Sequence, residues 1–142
     1  MWFNISPPGG LNDMTNPVKG TYAHHTILHE IGHALGFDHP HGDPAIGNHF
    51  GNLPANWDSM EFTVMTYRSY IADPLVSGYS NTEGHYAQSL MVLDIAAIQH
   101  LYGAKFDTAN TATTYKWRPT SGNLEINGAA ENTATAPAQN VV

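Results

Sequence analysis

Cysteine does not occur in this sequence, which excludes disulfides and thiolate metal ligands and removes any redox clue to compartment. Basic residues are scarce: five Lys+Arg stand against twelve Asp+Glu, a formal net charge of −7. Nucleic acid is therefore not expected as the main partner, because phosphate binding needs a basic patch. Charge of either sign is sparse, at 12% beside 42% hydrophobic residues, which describes a low-charge globular chain rather than an acidic disordered one. No apolar run approaches the ~20 residues of a membrane span, so no membrane partner is expected either. The opening M-W-F-N-I-S-P-P lacks the basic region and apolar core of a signal peptide. No internal repeat is visible, and the calcium-binding G-G-x-G-x-D nonapeptide does not occur. At 142 residues the chain suits one domain burying about two-thirds of its unfolded surface.

Histidine is abundant by contrast: nine residues, more than Lys and Arg together. The richest stretch is H-E-I-G-H-A-L-G-F-D-H at residues 29–39. In a helix, residues four apart lie on one face, so His29 and His33 point the same way, with Glu30 about 100° round. Ile27, Leu28, Ile31 and Leu35 fall on the opposite side, where they can pack while the histidine side stays open. A continued helix would carry His39 some 9 Å beyond His33 along the axis. Gly36 can instead take the left-handed conformation that stops a helix, and the turn can bring His39 back to the same ion. Three neutral imidazoles with a fourth position left to water are a usual ligand set of catalytic zinc. Zinc lowers the pKa of such a water to about 7, and Glu30 is placed to take its proton.

Elsewhere the signals are weaker. Residues 1–6, with Trp2, Phe3 and Ile5, read as a short strand, and Pro7 to Gly20 as a loop. Thr21 is a plausible N-cap for a helix running to about Leu35. His25 shares the face of His29, but the helix rises about 6 Å between them, so His25 is expected beside the site or in solvent rather than as a ligand. Pro40 to Glu61 reads as a long irregular loop. In it, His41, Asp43, His49, Asp58 and Glu61 are candidates for a second ion, though solvated loop residues are the commoner outcome. F-T-V-M-T-Y at 62–67 is apolar, β-prone and short. A second helix is expected from about Ser89 to Tyr102, closed by Gly103. Its stripe of Met91, Ile95, Ile98 and Tyr102, with Leu90, Ala97 and Leu101 beside it, would pack against the first helix. Asp94 within it is expected to bond nearby backbone or histidine rather than to catalyse. Thr113, Tyr115 and Trp117 alternate into a turn at residues 119–123, and Leu124 and Ile126 alternate on the return, a hairpin pattern. Residues 131–142 have little to bury.

The pattern H-E-x-x-H-x-x-G-x-x-H at His29–His39 is that of the metzincins, and within that clan the chain resembles the serralysins. Pro40 follows the third histidine as it does in that family. V-M-T-Y at 64–67 is similar to the family's Met-turn, and D-I-A-A-I-Q-H-L-Y-G-A at 94–104 matches a stretch characteristic of it. The resemblance covers roughly residues 2–117. It implies an α+β fold: the C-terminal half of a metzincin catalytic domain over residues 1–106, with two main helices, long irregular loops and few strands. Residues 107–142 would be a hairpin-like, flexible lead-in to a calcium-binding β-roll. It implies His29, His33 and His39 as zinc ligands, Glu30 as general base, Tyr67 as a displaceable fifth ligand that stabilises the oxyanion, and Met65 packed beneath the histidines. The implied function is a secreted zinc endopeptidase acting on polypeptides, with calcium possible by family likeness alone. The alternative is a catalytically inactive zinc-binding remnant, since the strand along which a peptide substrate pairs in serralysins precedes the segment resembling residues 2–4.

Overall fold

The computed structural model describes residues 13–42, 51–107, 111–118 and 123–130. The expected strand at 1–6, the loop residues Asp43 and His49, the turn at 119–122 and the tail at 131–142 lie outside them. The element order is α1 (Tyr22–Ala34), a short 3-10 turn (Leu75–Ser77), α2 (Val92–Tyr102), β1 (Tyr115–Arg118), β2 (Asn123–Ile126) and β3 (Ala129–Ala130). Two helices, irregular loops and a small sheet are compatible with the expected α+β class.

Helix α1 begins and ends where its sequence says it should. Thr21 is the N-cap, and its hydroxyl accepts from the His24 N–H. The Glu83 carboxylate accepts from Tyr22 N at 3.1 Å, an acid placed at the positive end of the helix. At the other end, the Gly36 N–H bonds to His33 O and the Phe37 N–H to Gly32 O, both at 3.0 Å. This is a Schellman turn, and Gly36 at φ 93° supplies the left-handed residue it requires.

F-T-V-M-T-Y at 62–67 forms consecutive turns rather than a strand. Its backbone closes on itself, with Phe62 N and Thr63 N donating to Ser59 O and Met60 N donating to Arg68 O. Its side chains are buried: Val64, Met65 and Thr66 are all 2% exposed or less. This turn is the centre of the described structure. Among the described residues the buried hydrophobics are Ala23, Met60, Val64, Met65 and Tyr86, and buried polar residues outnumber them.

Helix α2 starts three residues later than expected, at Val92, because Asp94 caps it from inside by accepting from Met91 N at 2.8 Å. The expected packing of its apolar stripe against α1 is not what the structure has. Ile95, Leu101 and Tyr102 are exposed, and Asp94 is the buried residue of the helix. The reason is that the turn at 62–65 lies between the helices. Leu93 N donates to Phe62 O, and Asp94 takes Thr63 Oγ1 at 2.6 Å and Val64 N at 2.9 Å. This is the backbone-bonding role the sequence suggests for that carboxylate. The Tyr102 hydroxyl donates to Leu35 O at 2.9 Å and ties the far end of α2 to α1.

The hairpin pattern at 113–126 holds. β1 pairs antiparallel with β2 in the register Tyr115↔Ile126 to Arg118↔Asn123, and β3 adds a third, two-residue strand. The Arg118 guanidinium bonds both oxygens of Glu125 across the pair.

Candidate metal centre

Helix α1 and the turn that follows it bring three imidazoles to one point. The Nε2 atoms of His29 and His33 lie 3.1 Å apart, those of His29 and His39 3.2 Å, and those of His33 and His39 3.0 Å. The other ring nitrogens explain what these short contacts are. His29 Nδ1 is 2.8 Å from the Val64 carbonyl, and His33 Nδ1 is 2.9 Å from the Phe37 carbonyl. A carbonyl only accepts, so both Nδ1 atoms carry the proton and both Nε2 atoms present lone pairs. His39 Nε2 lies 2.9 Å from the Tyr67 hydroxyl and can accept its proton. The convergence is therefore a cluster of acceptors, unfavourable by itself and suited to a cation.

The donor set fits zinc. Tetrahedral zinc with Zn–N bonds of 2.0–2.1 Å spaces its nitrogens about 3.3 Å apart, close to the edges seen here. The two Nδ1–H···O=C bonds are the kind that orient metal-binding histidines. Among the described residues, these three histidines are the group of His, Cys, Asp or Glu side chains that could hold an ion together. The surroundings disfavour the protonated forms of His29 and His39. Burial, then the neighbouring imidazoles His29, His33 and His41, brings His39 down to about 4. Burial also lowers His29, against the opposing pull of the Val64 carbonyl.

Each contribution comes from a different piece of chain. The Schellman turn supplies the Phe37 carbonyl that fixes His33, and the turn at 62–67 supplies the Val64 carbonyl that fixes His29. Glu30 is half-buried beside His29, and its charge is among those that favour protonated His29. Tyr67 is 40% exposed, with its ring 4.5 Å from that of His39 and 5.6 Å from that of His29. Met65 packs against α1 itself: a Cβ on Gly32 would sit 2.3 Å from the Met65 sulfur. Gly32 thus lets the thioether reach the helix between the two histidines, a role its place within the motif does not announce.

His25 is 1% exposed, its ring 6.4 Å from that of His29, and it is not one of the three histidines that converge. Tyr79, whose phenol burial pushes up, donates to Thr66 O at 2.8 Å, so His25 Nε2 must donate in turn to the Tyr79 oxygen at 3.2 Å. Tyr67, Tyr79, Tyr22 and Tyr86 line a cavity of about 430 Å³ beside the cluster, with Leu75 and Gly78. Of the residues considered for a second ion, His41 and Asp58 are neighbours at 3.8 Å. Asp58 is already engaged by Arg68 Nε at 2.9 Å and Thr66 Oγ1 at 2.5 Å. Glu61 accepts from Ser59 Oγ at 3.3 Å. No metal-binding group forms around these three among the described residues.

A helix carrying two histidines four apart, a third returned by a glycine turn and a methionine turn packed against that helix thus make one group that could hold a metal ion. Known proteins then narrow the class. The chain is 39% identical over 114 residues to Serralysin A of Dickeya chrysanthemi, a match covering 80% of this chain and 22% of that protein. It is 38% identical over 111 residues to Serralysin of Proteus mirabilis, covering 76% of this chain and 21% of the relative. It is 35% identical over 118 residues to Metalloprotease AprA of Pseudomonas entomophila (strain L48), covering 80% and 23%. No protein-family model matches. Over the stretch it shares with these relatives, the chain belongs to the serralysin-type metzincins, and it spans about a fifth of their length.

Proposed function

We propose that this chain carries the metal site of a zinc endopeptidase, with His29, His33 and His39 as ligands and Glu30 as general base. The observation that carries the reading is the convergence of three imidazole Nε2 atoms within 3.2 Å, with two Nδ1 protons fixed on carbonyls. The chemistry zinc supplies in such a site is Lewis acidity, toward the scissile carbonyl and toward a water molecule. The rest belongs to the protein. Glu30 accepts the proton of the attacking water and returns it to the leaving amine, so a single carboxylate serves both steps. The Tyr67 hydroxyl, 2.9 Å from His39 Nε2, stands where it can be a fifth ligand at rest. It can then donate a hydrogen bond to the oxygen that gains negative charge. Met65 keeps the histidine face of α1 rigid from below. The tyrosine-lined cavity beside Tyr67 would receive a substrate side chain, its aromatic walls suiting apolar ones. Polypeptides are the substrates and secretion is the expected destination, both by family likeness.

The test is paired. The 142-residue chain should bind one zinc and degrade casein, and chelation should abolish the activity. Glu30→Gln should keep the zinc and lose about 10²–10⁴-fold in rate. Full activity in that variant would refute the assignment of Glu30. Stoichiometric zinc without turnover in the unaltered chain would favour the inactive zinc-binding alternative.

A further inference from the structure

His41 is left over from the catalytic reading, and its surroundings are specific. Its side chain is only 6% exposed, although it belongs to the polar loop after His39. Its ring lies parallel to that of His39, at 4° and a centroid distance of 5.5 Å. It also packs on the ring of Tyr67 at 4.9 Å. The Tyr67 ring is thus flanked by His41, His39 and His29, and its hydroxyl points at His39 Nε2.

One carboxylate ties the residues on either side of Tyr67. Asp58, 3% exposed, accepts from Thr66 Oγ1 and from Arg68 Nε, the side chains immediately before and after Tyr67. Arg68 N also bonds Thr66 Oγ1 at 3.1 Å, and an Arg68 guanidinium nitrogen reaches the Asp73 carbonyl. The backbone at Tyr67 is therefore fixed on both sides. A tyrosine with a fixed backbone still has two rotatable side-chain bonds, and something must choose its rotamer. His41 is a buried ring against the phenol, which Tyr79 also meets edge-on at 6.4 Å, and His41 Nδ1 lies 3.8 Å from the same Asp58.

We propose that His41, packed beside Asp58, is a positioning residue that holds the Tyr67 phenol at the metal site. The inference rests on the metal-site reading above and deepens it. His41 acts by shape, as a buried ring packed at a 45° tilt against the phenol. A flat ring at this position should preserve the function, and a bulky aliphatic one should not.

Copper(II) in place of zinc reports the phenol directly, because phenolate bound to copper(II) gives a visible charge-transfer band. The copper-loaded 142-residue chain should show that band, and Tyr67→Phe should remove it while copper stoichiometry stays unchanged. His41→Phe should retain the band, whereas His41→Leu and His41→Ala should lose most of it at full copper occupancy. With zinc, kcat should fall about tenfold in His41→Leu and His41→Ala while KM changes little. A band of equal strength in the Phe and Leu variants overturns the proposal, even if the Ala variant fails to fold. A Tyr67-independent spectrum in the unaltered chain also overturns it, by showing that the phenol is not held at the ion. Failure of the unaltered chain to bind copper or zinc at all overturns the metal-site reading instead.

Discussion

At the scale of single residues, the fixed points of the site are buried, hydrogen-bonded polar groups. Asp94 is the clearest case: three donors from the turn and from the start of α2 converge on one buried carboxylate. Asp94→Ala would leave two backbone N–H groups and a hydroxyl without an acceptor, at a cost of about 2–4 kcal/mol. Urea denaturation should show this as a lower midpoint, and a loss under about 1 kcal/mol would mean that water replaces the carboxylate. His25 makes a second prediction, through pH. Burial, with His29 and His24 beside it, brings its pKa down to about 3. The unfolded chain thus binds a proton near 6.5 that the folded chain refuses. Stability from the neutral ring is full above pH 6.5 and falls as pH drops toward 3, at up to about 1.4 kcal/mol per pH unit. Chelator-treated His25→Gln, which can still donate to Tyr79, should show a shallower loss over that window. Parallel curves would show that other groups set the acid limit. The His29, His33 and His39 cluster was readable from spacing because a helix and one turn are local geometry. The grouping of His41 and Asp58 with Tyr67 was not, since it depends on the path of the irregular loop between them.

At the scale of elements, α1 was the most readable and α2 the least. Thr21, Gly36 and the histidine spacing specify α1 within its own few turns, and the structure follows them to within a residue. The apolar periodicity of α2 tells which face is greasy but not what lies against it, and the turn at 62–67 occupies the place expected for direct helix contact. That turn looked β-prone because Phe62, Val64 and Tyr67 suit strands. Its hydrogen bonds to Ser59, Asp94 and His29 hold it as turns instead. The seam between the turn and α1 is Gly32 against Met65, where two effects oppose. Gly32→Ala gains about 1 kcal/mol of helix propensity, yet it must displace a sulfur that is 2% exposed, at about 1–3 kcal/mol. The second effect should win, leaving a net loss of about 1 kcal/mol. Adding Met65→Ala should recover at least about 0.5 kcal/mol relative to additivity. Thermal or denaturant melts of the two single variants and the double would show it, and strict additivity would place the strain elsewhere.

At the scale of the whole molecule, the resemblance carried by His29–His39, Pro40, Met65, Tyr67 and residues 94–104 was enough to give the family, because those motifs are short and specific. It could not give the character of the interior. Around the turn at 62–67 the described structure is held mainly by bonded polar groups: Asp58, Ser59, Thr63, Thr66, Asp73 and Asp94 are buried against five buried hydrophobics. Exposing polar surface lowers the heat capacity that apolar exposure raises, so calorimetric unfolding should give less than the ordinary ~12–15 cal/mol/K per residue. An ordinary value would refute this polar account of the interior. Hydrophobic cohesion weakens on cooling, whereas the bonds that orient His29, His33 and Tyr67 owe little to it. The geometry of this site should therefore persist close to the freezing point, with a flat dependence of stability on temperature.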